Sequence, residues 1–184
     1  MKRILFLMIL LLGLNTFSQK NEKFKPGVKI INKEKIEEYK NPKSILFIFK
    51  GHTHSINYFL DLKKRIRKTF KKKMKKGFKD FKLNFNFSLN AESPFKSDLN
   101  KIPSKKYNEK RYESICQISI SDFKAWDNHL EINKRKQNYN LNLVFKKNKT
   151  KDKKGILKIN VNSYDTILTQ NKNSSKLIYQ AITE

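Results

Sequence analysis

The sequence is poor in residues that break a chain or staple it. Among 184 residues there are 5 glycines, 4 prolines and 1 cysteine. One thiol makes no internal disulfide, so packing alone must hold the fold. Cys116 lies in "SICQISIS" on the parity of Ile118 and Ile120, which reads as a small buried hydrophobe and not as a nucleophile. The few glycines are scattered, which excludes a glycine-rich nucleotide loop; Gly51 alone is a weak anion-binding signal. No serine-nucleophile elbow and no paired-cysteine metal motif occurs. Acids are also scarce: 16 Asp and Glu against 42 Lys and Arg leave a formal net charge of +26. These absences argue against an enzyme, and no cofactor is expected.

What is present begins with "MKRILFLMILLLGLNTFSQK". Lys2 and Arg3 form a positive leader, Ile4–Leu14 an apolar run, and Thr16 and Ser18 sit at −3 and −1 of a cleavage after Ser18. This is the pattern of a secretory signal peptide over residues 1–18. The run falls short of the roughly 20 apolar residues that a spanning helix needs. No cysteine follows it, so a lipid-modified terminus is not indicated. The expected location is outside the cytoplasm: periplasmic or secreted, and at most peripheral to an outer membrane. Only five of the basic residues are arginine, and lysine, asparagine and isoleucine are all abundant, a bias an AT-rich genome would give. Whatever its origin, the excess of lysine attracts polyanions.

Periodicity organises the remainder. Residues 19–43 read as a mixed N-terminal segment in which Val28–Ile31 adds a short strand, and 44–184 as a single α+β domain. "SILFIF" (Ser44–Phe49) has the length of a buried strand. From Ser55, an expected N-cap, Ile56, Phe59, Leu62, Ile66, Phe70 and Met74 recur every three or four residues, which predicts a helix stopping at Gly77. "FKLNFNFSLN" then alternates strictly, so the strand–helix–strand unit is expected to place two parallel strands side by side. Residues 91–112 read as a long loop. Three more strands follow in "ICQISIS", "YNLNLVF" and "ILKINVN", the last two joined by a charged hairpin tip, and Ser174–Glu184 reads as a short helix. The expected fold is a two-layer α+β sandwich: a mixed, mostly antiparallel sheet with one long basic helix and a C-terminal helix on one face. The other face, with Asn84, Asn86, Gln117, Asn140, Asn142, Asn160 and Asn162, is expected to be wet. This element order is similar to that of small envelope accessory domains of Gram-negative bacteria.

The long helix carries the candidate site. Lys63–Lys82 is crowded with cations against one acid, Asp80. Like charges at i,i+4 each cost a few tenths of a kcal/mol, so either packing or a polyanion must compensate. Lys63, Lys64, Arg67, Lys68, Lys71, Lys72, Lys75 and Lys76 are the expected polyanion-binding residues, with the Lys146–Lys154 hairpin as a second patch. His52, His54 and His129 are weak metal candidates: His52 and His54, one residue apart, can share a face, but a catalytic zinc site needs three protein ligands, His129 is the only other histidine and nearby acids are few. Asp127, Asn128, His129 and Glu131 in "WDNHLEINKRK" resemble a fragment of a metal-dependent nuclease but lack a partner motif. Phe85 and Phe87 fall on the buried parity, so they form no stacking platform for nucleic acid. Asp165-Thr166-Ile167 resembles the short acceptor motif for O-glycosylation of exported bacterial proteins.

Three functions follow in order of support from these residues. The first is an exported, non-enzymatic binding or assembly accessory of the cell envelope, whose partner is an envelope protein or an anionic envelope lipid or polymer. The second is a peripheral binder of anionic lipid, lipopolysaccharide or another polyanion through the basic helix. The third, a secreted metal-dependent hydrolase or nuclease, has the least behind it.

Overall fold

The computed structural model describes residues 27–74, 81–90, 100–124, 137–148, 154–163 and 165–184. The signal-peptide pattern, Gly77, His129 with its neighbours and the tip of the 146–154 hairpin lie outside them. Six strands, β1 (Gly27–Glu34), β2 (Ser44–His52), β3 (Lys82–Asn90), β4 (Ser114–Lys124), β5 (Gln137–Lys147) and β6 (Lys154–Ser163), form one sheet in the order β1-β6-β5-β4-β2-β3. Two α-helices accompany it, α1 (Ile56–Met74) and α2 (Ile167–Thr183). β2 runs parallel to both β3 and β4, and the other pairings are antiparallel. The strand–helix–strand unit thus sets two parallel neighbours side by side, as the alternation of "FKLNFNFSLN" predicts. Among the described residues no helix is long and apolar enough to cross a membrane.

Residues 27–43 belong to the same sheet and core. β1 is its edge strand, paired with β6, and the 3-10 turn Ile36–Tyr39 buries Ile36 and Tyr39. Tyr39 lies so close over Gly155 that an added Cβ there would stand 2.7 Å from its ring. Only glycine lets the turn close against β6.

Alternation on the strands and the three-to-four spacing on the helices meet in one buried cluster. Phe47 and Phe49 of β2, Phe85 of β3, Leu141, Leu143 and Phe145 of β5 and Leu157, Ile159 and Val161 of β6 are all buried there. Phe59, Leu62, Ile66 and Phe70 of α1 and Ile178, Tyr179, Ala181 and Ile182 of α2 share the cluster. Phe49 sits 5.0 Å from Phe59 and 6.0 Å from Phe85, ring centre to ring centre. Burying each such side chain contributes about 1.5–3 kcal/mol. Cys116 is fully buried and free, and burial pushes its thiol well above the ordinary range, which keeps it unreactive.

Both helices begin differently from the expectation. Ser55 is not an isolated cap, because Thr53–Ser55 already forms a 3-10 turn leading into α1. α2 starts at Ile167, seven residues before the expected Ser174, because the Thr166 hydroxyl accepts from the Thr169 amide at 3.4 Å and caps it. Its first turns are polar yet buried: Gln170, Asn171, Ser174 and Ser175 are wholly inaccessible. Gln170 Nε2 donates to the Asp165 carbonyl at 2.7 Å and its Oε1 accepts from the Tyr139 hydroxyl at 3.1 Å. Such partners let amides occupy a helix face that composition reads as solvent-exposed.

The opposite sheet face is not the wet surface that its asparagines suggest. Asn140, Asn160 and Asn162 are buried, and the first two are joined by an Asn160 Nδ2 bond to Asn140 Oδ1 at 2.9 Å. Asn84 donates to the Tyr112 hydroxyl at 2.7 Å. Asn86 bonds the Tyr107 backbone twice, to its carbonyl at 2.8 Å and from its amide at 2.9 Å. The 100–113 segment, with a 3-10 turn at Glu109–Arg111, is thereby held over β2, where Leu46, Ile48, Tyr112 and Ile115 form a second small core. That is why Ile45–Phe49 is apolar at every position: this part of β2 is buried on both sides.

Candidate functional site

The basic patch on α1 divides when its residues are placed around the helix. Ile56, Phe59, Leu62, Ile66 and Phe70 define the buried stripe, and the cations fall on three different sides of it. Lys63 and Arg67 lean over β3. The Lys63 ammonium lies 5.4 Å from the Phe87 ring centre and the Arg67 guanidinium 5.6 Å from that of Phe85. Partial burial, then the charge of Arg67, lowers the pKa of Lys63. These two cations cover rings and serve packing as much as charge.

Lys64 and Lys71 stand on the outer crest of α1 and are exposed, and the exposed Lys68 stands at the edge of that crest toward α2. Lys72 belongs to the helix by its backbone; its side chain, and Lys75 and Lys76 altogether, lie outside the described residues. The eight expected binding residues are therefore not one described cluster.

The third side faces α2. There Arg65, Lys68 and Thr69 of α1 stand across from Lys172, Ser175 and Lys176 of α2, with Tyr179 and Gln180 at one end, around a groove of about 440 Å³. Arg65 Nε lies 3.3 Å from Asp61 Oδ1 in an ion pair whose side chains are only 23% and 16% exposed. Asp61 is itself held, since Asn171 Nδ2 donates to Asp61 Oδ2 at 3.0 Å and to the Tyr58 carbonyl at 3.3 Å. The Thr69 and Ser175 hydroxyls meet at 3.0 Å, and Ser175 also donates to the Lys172 carbonyl at 2.9 Å. Asp61 is the one acid in α1, and α2 has none. Among the described residues, Lys68, Lys172 and Lys176 have no carboxylate partner.

Of this groove the sequence reading had only Lys68 as a binding residue. Arg65 lies within the Lys63–Lys82 charge run but is not among the expected binding residues; Lys172 precedes the helix expected over Ser174–Glu184 and Lys176 falls inside it, and neither is singled out. Their i,i+4 spacing in a segment without acids was the available signal.

The histidines do not gather. His52 ends β2, His54 lies in the following turn, and both are exposed. Among the described residues no three His, Cys, Asp or Glu side chains are placed to hold a metal ion. Gly51, before them, has a φ of 152°, a backbone geometry that costs an L side chain, with the Phe59 ring 3.6 Å from where a Cβ would stand. The GHTHS stretch therefore turns the chain over the core into α1. Thr166 is exposed and its hydroxyl is engaged as the α2 cap.

No protein-family model and no curated protein matches this sequence. Solved structures of similar fold include the PelC dodecamer from Paraburkholderia phytofirmans, at a TM-score of 0.47 and 5% identity over 85% of this chain and 97% of that one. A leucine-to-methionine variant of the same dodecamer gives 0.45 and 3% identity, over 79% and 90% of the two chains.

Proposed function

We propose that this chain is an exported, non-enzymatic binding or assembly accessory of the cell envelope, and that it meets an anionic partner, lipid or polymer, through its helical side. In this reading the fold is a two-layer α+β sandwich: the sheet and the core fix two helices side by side, and the helices present charge outward. The observation that carries it is the groove between α1 and α2, where Arg65, Lys68, Lys172 and Lys176 converge with Asp61 as the only acid of either helix. Cations gathered on two rigid elements raise the local concentration of an anionic partner and orient it. The opposite sheet face supports the reading less well, because Asn84 and Asn86 are already engaged by residues of the 100–113 segment.

The test is binding of the full chain to vesicles of anionic or neutral lipid and to lipopolysaccharide over a salt series. Exposed charges are screened over about 10 Å at 0.1 M salt, so binding to the anionic surfaces is expected to weaken at least about tenfold between about 0.05 and about 0.5 M. Replacing Lys68, Lys172 and Lys176 together by glutamine is expected to abolish most of it. Binding that is indifferent to salt, or unchanged in that variant, overturns the proposal.

A further inference from the structure

The floor of the interhelical groove differs from a merely basic surface in how its arginine is held. Asn171 of α2 fixes Asp61 of α1 at 3.0 Å, and Asp61 pairs with Arg65 at 3.3 Å. The buried Arg65 Nε–H donates no hydrogen bond to that carboxylate, so the ion pair orients the guanidinium without using up its donors. An arginine so positioned presents a planar fork suited to phosphate or carboxylate oxygens. The remaining charges come from both walls: Lys68 from α1, Lys172 and Lys176 from α2. Lys172 and Lys176 stand at i,i+4 without an acid between them, which costs the empty helix a few tenths of a kcal/mol that an anion would remove.

From this arrangement we infer that the groove is a discrete site for a phosphate monoester, with Arg65 as its oriented anchor and Lys68, Lys172 and Lys176 closing on the remaining oxygens. This rests on the anionic-partner reading above and narrows it. A carboxylate has two oxygens in one plane, which the Arg65 fork alone could satisfy. A phosphate monoester has three terminal oxygens pointing in different directions and close to two negative charges at neutral pH, matching cations that approach from two helices. A groove of about 440 Å³ leaves room for whatever carries the phosphate. The Thr69 and Ser175 hydroxyls, 3.0 Å apart, add polar groups at the same place.

The experiment titrates the full chain at fixed ionic strength with inorganic phosphate, glycerol 3-phosphate and acetate, by calorimetry and by the chemical shifts of the arginine Nε–H and lysine ammonium groups. Saturable one-to-one binding of both phosphates, with acetate at least about tenfold weaker, is expected from the difference in charge and in oxygen geometry. Arg65→Lys keeps the charge and removes the fork, and is expected to weaken phosphate about tenfold. Lys172→Gln with Lys176→Gln is expected to do the same, whereas Lys64→Gln with Lys71→Gln on the crest should change it less than about twofold. Circular dichroism confirms that each variant folds.

Absence of saturable phosphate binding, an unaltered Arg65→Lys variant, or equal losses from crest and groove variants each overturns this inference. Salt-sensitive vesicle binding together with no phosphate binding would sink the site and leave the broader function standing. Phosphate binding without vesicle or lipopolysaccharide binding would establish the site and sink the broader function. Parallel arms identify the source: tight binding to vesicles of phosphatidic acid but not of phosphatidylglycerol assigns a lipid headgroup, and binding confined to glycerol 3-phosphate a soluble ester.

Discussion

The two faces of the sheet solve the same burial problem by different means. Beneath the helices, the chain relies on rings and aliphatic side chains that need no particular partner, only volume and contact. On the other face it sets asparagines in rows, and each row must find donors and acceptors to be buried without cost. At β2 the two solutions meet: Phe47 and Phe49 enter the large core, while Leu46 and Ile48 enter the small one under Tyr107 and Tyr112. The small core exists only because a strap is tied over it by specific hydrogen bonds. Apolar packing is thus tolerant and collective, and the polar face is exacting and local.

The largest expected effect lies on the apolar face. Phe49→Ala removes a ring in contact with Phe59, Phe85 and Phe87, and should destabilise the fold by about 3–5 kcal/mol. Denaturant unfolding gives the value. A loss under about 1 kcal/mol would mean that this face is not closely packed.

Asn86→Ala sharpens the contrast from the other side. It removes no core volume, yet it leaves the Tyr107 amide and carbonyl without their partners on β3. Each unsatisfied buried group costs about 1–3 kcal/mol, and the half-buried setting here puts the expectation at the lower end. Asn142→Ala, which loses a single bond to the Ser121 hydroxyl at 2.7 Å, is expected to cost less. Hydrogen exchange should show the 100–113 segment released in the first variant and undisturbed in the second. Equal effects would deny that the strap depends on the Asn86 clasp.

Most of the fold could be read from periodicity, and the reasons for the misses are physical. Strict alternation in "FKLNFNFSLN" and the spacing of Phe59, Leu62, Ile66 and Phe70 report a single buried side, and one-sided burial leaves a clear pattern. Gln170, Asn171, Ser174 and Ser175 are buried through hydrogen bonds, which leave no hydrophobic pattern, so the start of α2 was hidden. Asn84 and Asn86 misled for the same reason, as their partners lie in a segment with no period of its own. The groove was only partly legible. Charge density on α1 was plain, but convergence of Arg65 with Lys172 and Lys176 depends on how two helices distant in sequence are placed together. No spacing within one helix could show it.

The smallest effect at neutral pH concerns the tyrosines on the two faces. Tyr58 and Tyr139 meet hydroxyl to hydroxyl at 3.1 Å on the helix side, and burial pushes both phenols up, Tyr58 well above the ordinary range. On the other face burial also raises Tyr112, but its hydrogen bond from Asn84 opposes the shift. An unfolded tyrosine ionises near pH 10. Above that pH the unfolded chain loses protons that the folded chain keeps, so stability is complete below about 10 and falls as pH rises toward the folded values. A fully insulated tyrosine contributes up to about 1.4 kcal/mol of loss per pH unit. Tyr139→Phe should therefore flatten the decline of stability between about pH 10 and pH 11.5 more than Tyr112→Phe does. The slope is the informative quantity, because the Tyr139 variant also leaves Gln170 Oε1 without its donor and lowers stability at every pH. If the two variants flatten the decline equally, water reaches the helix side of the sheet as freely as the strapped side, and the distinction between a dry face and a clasped one fails.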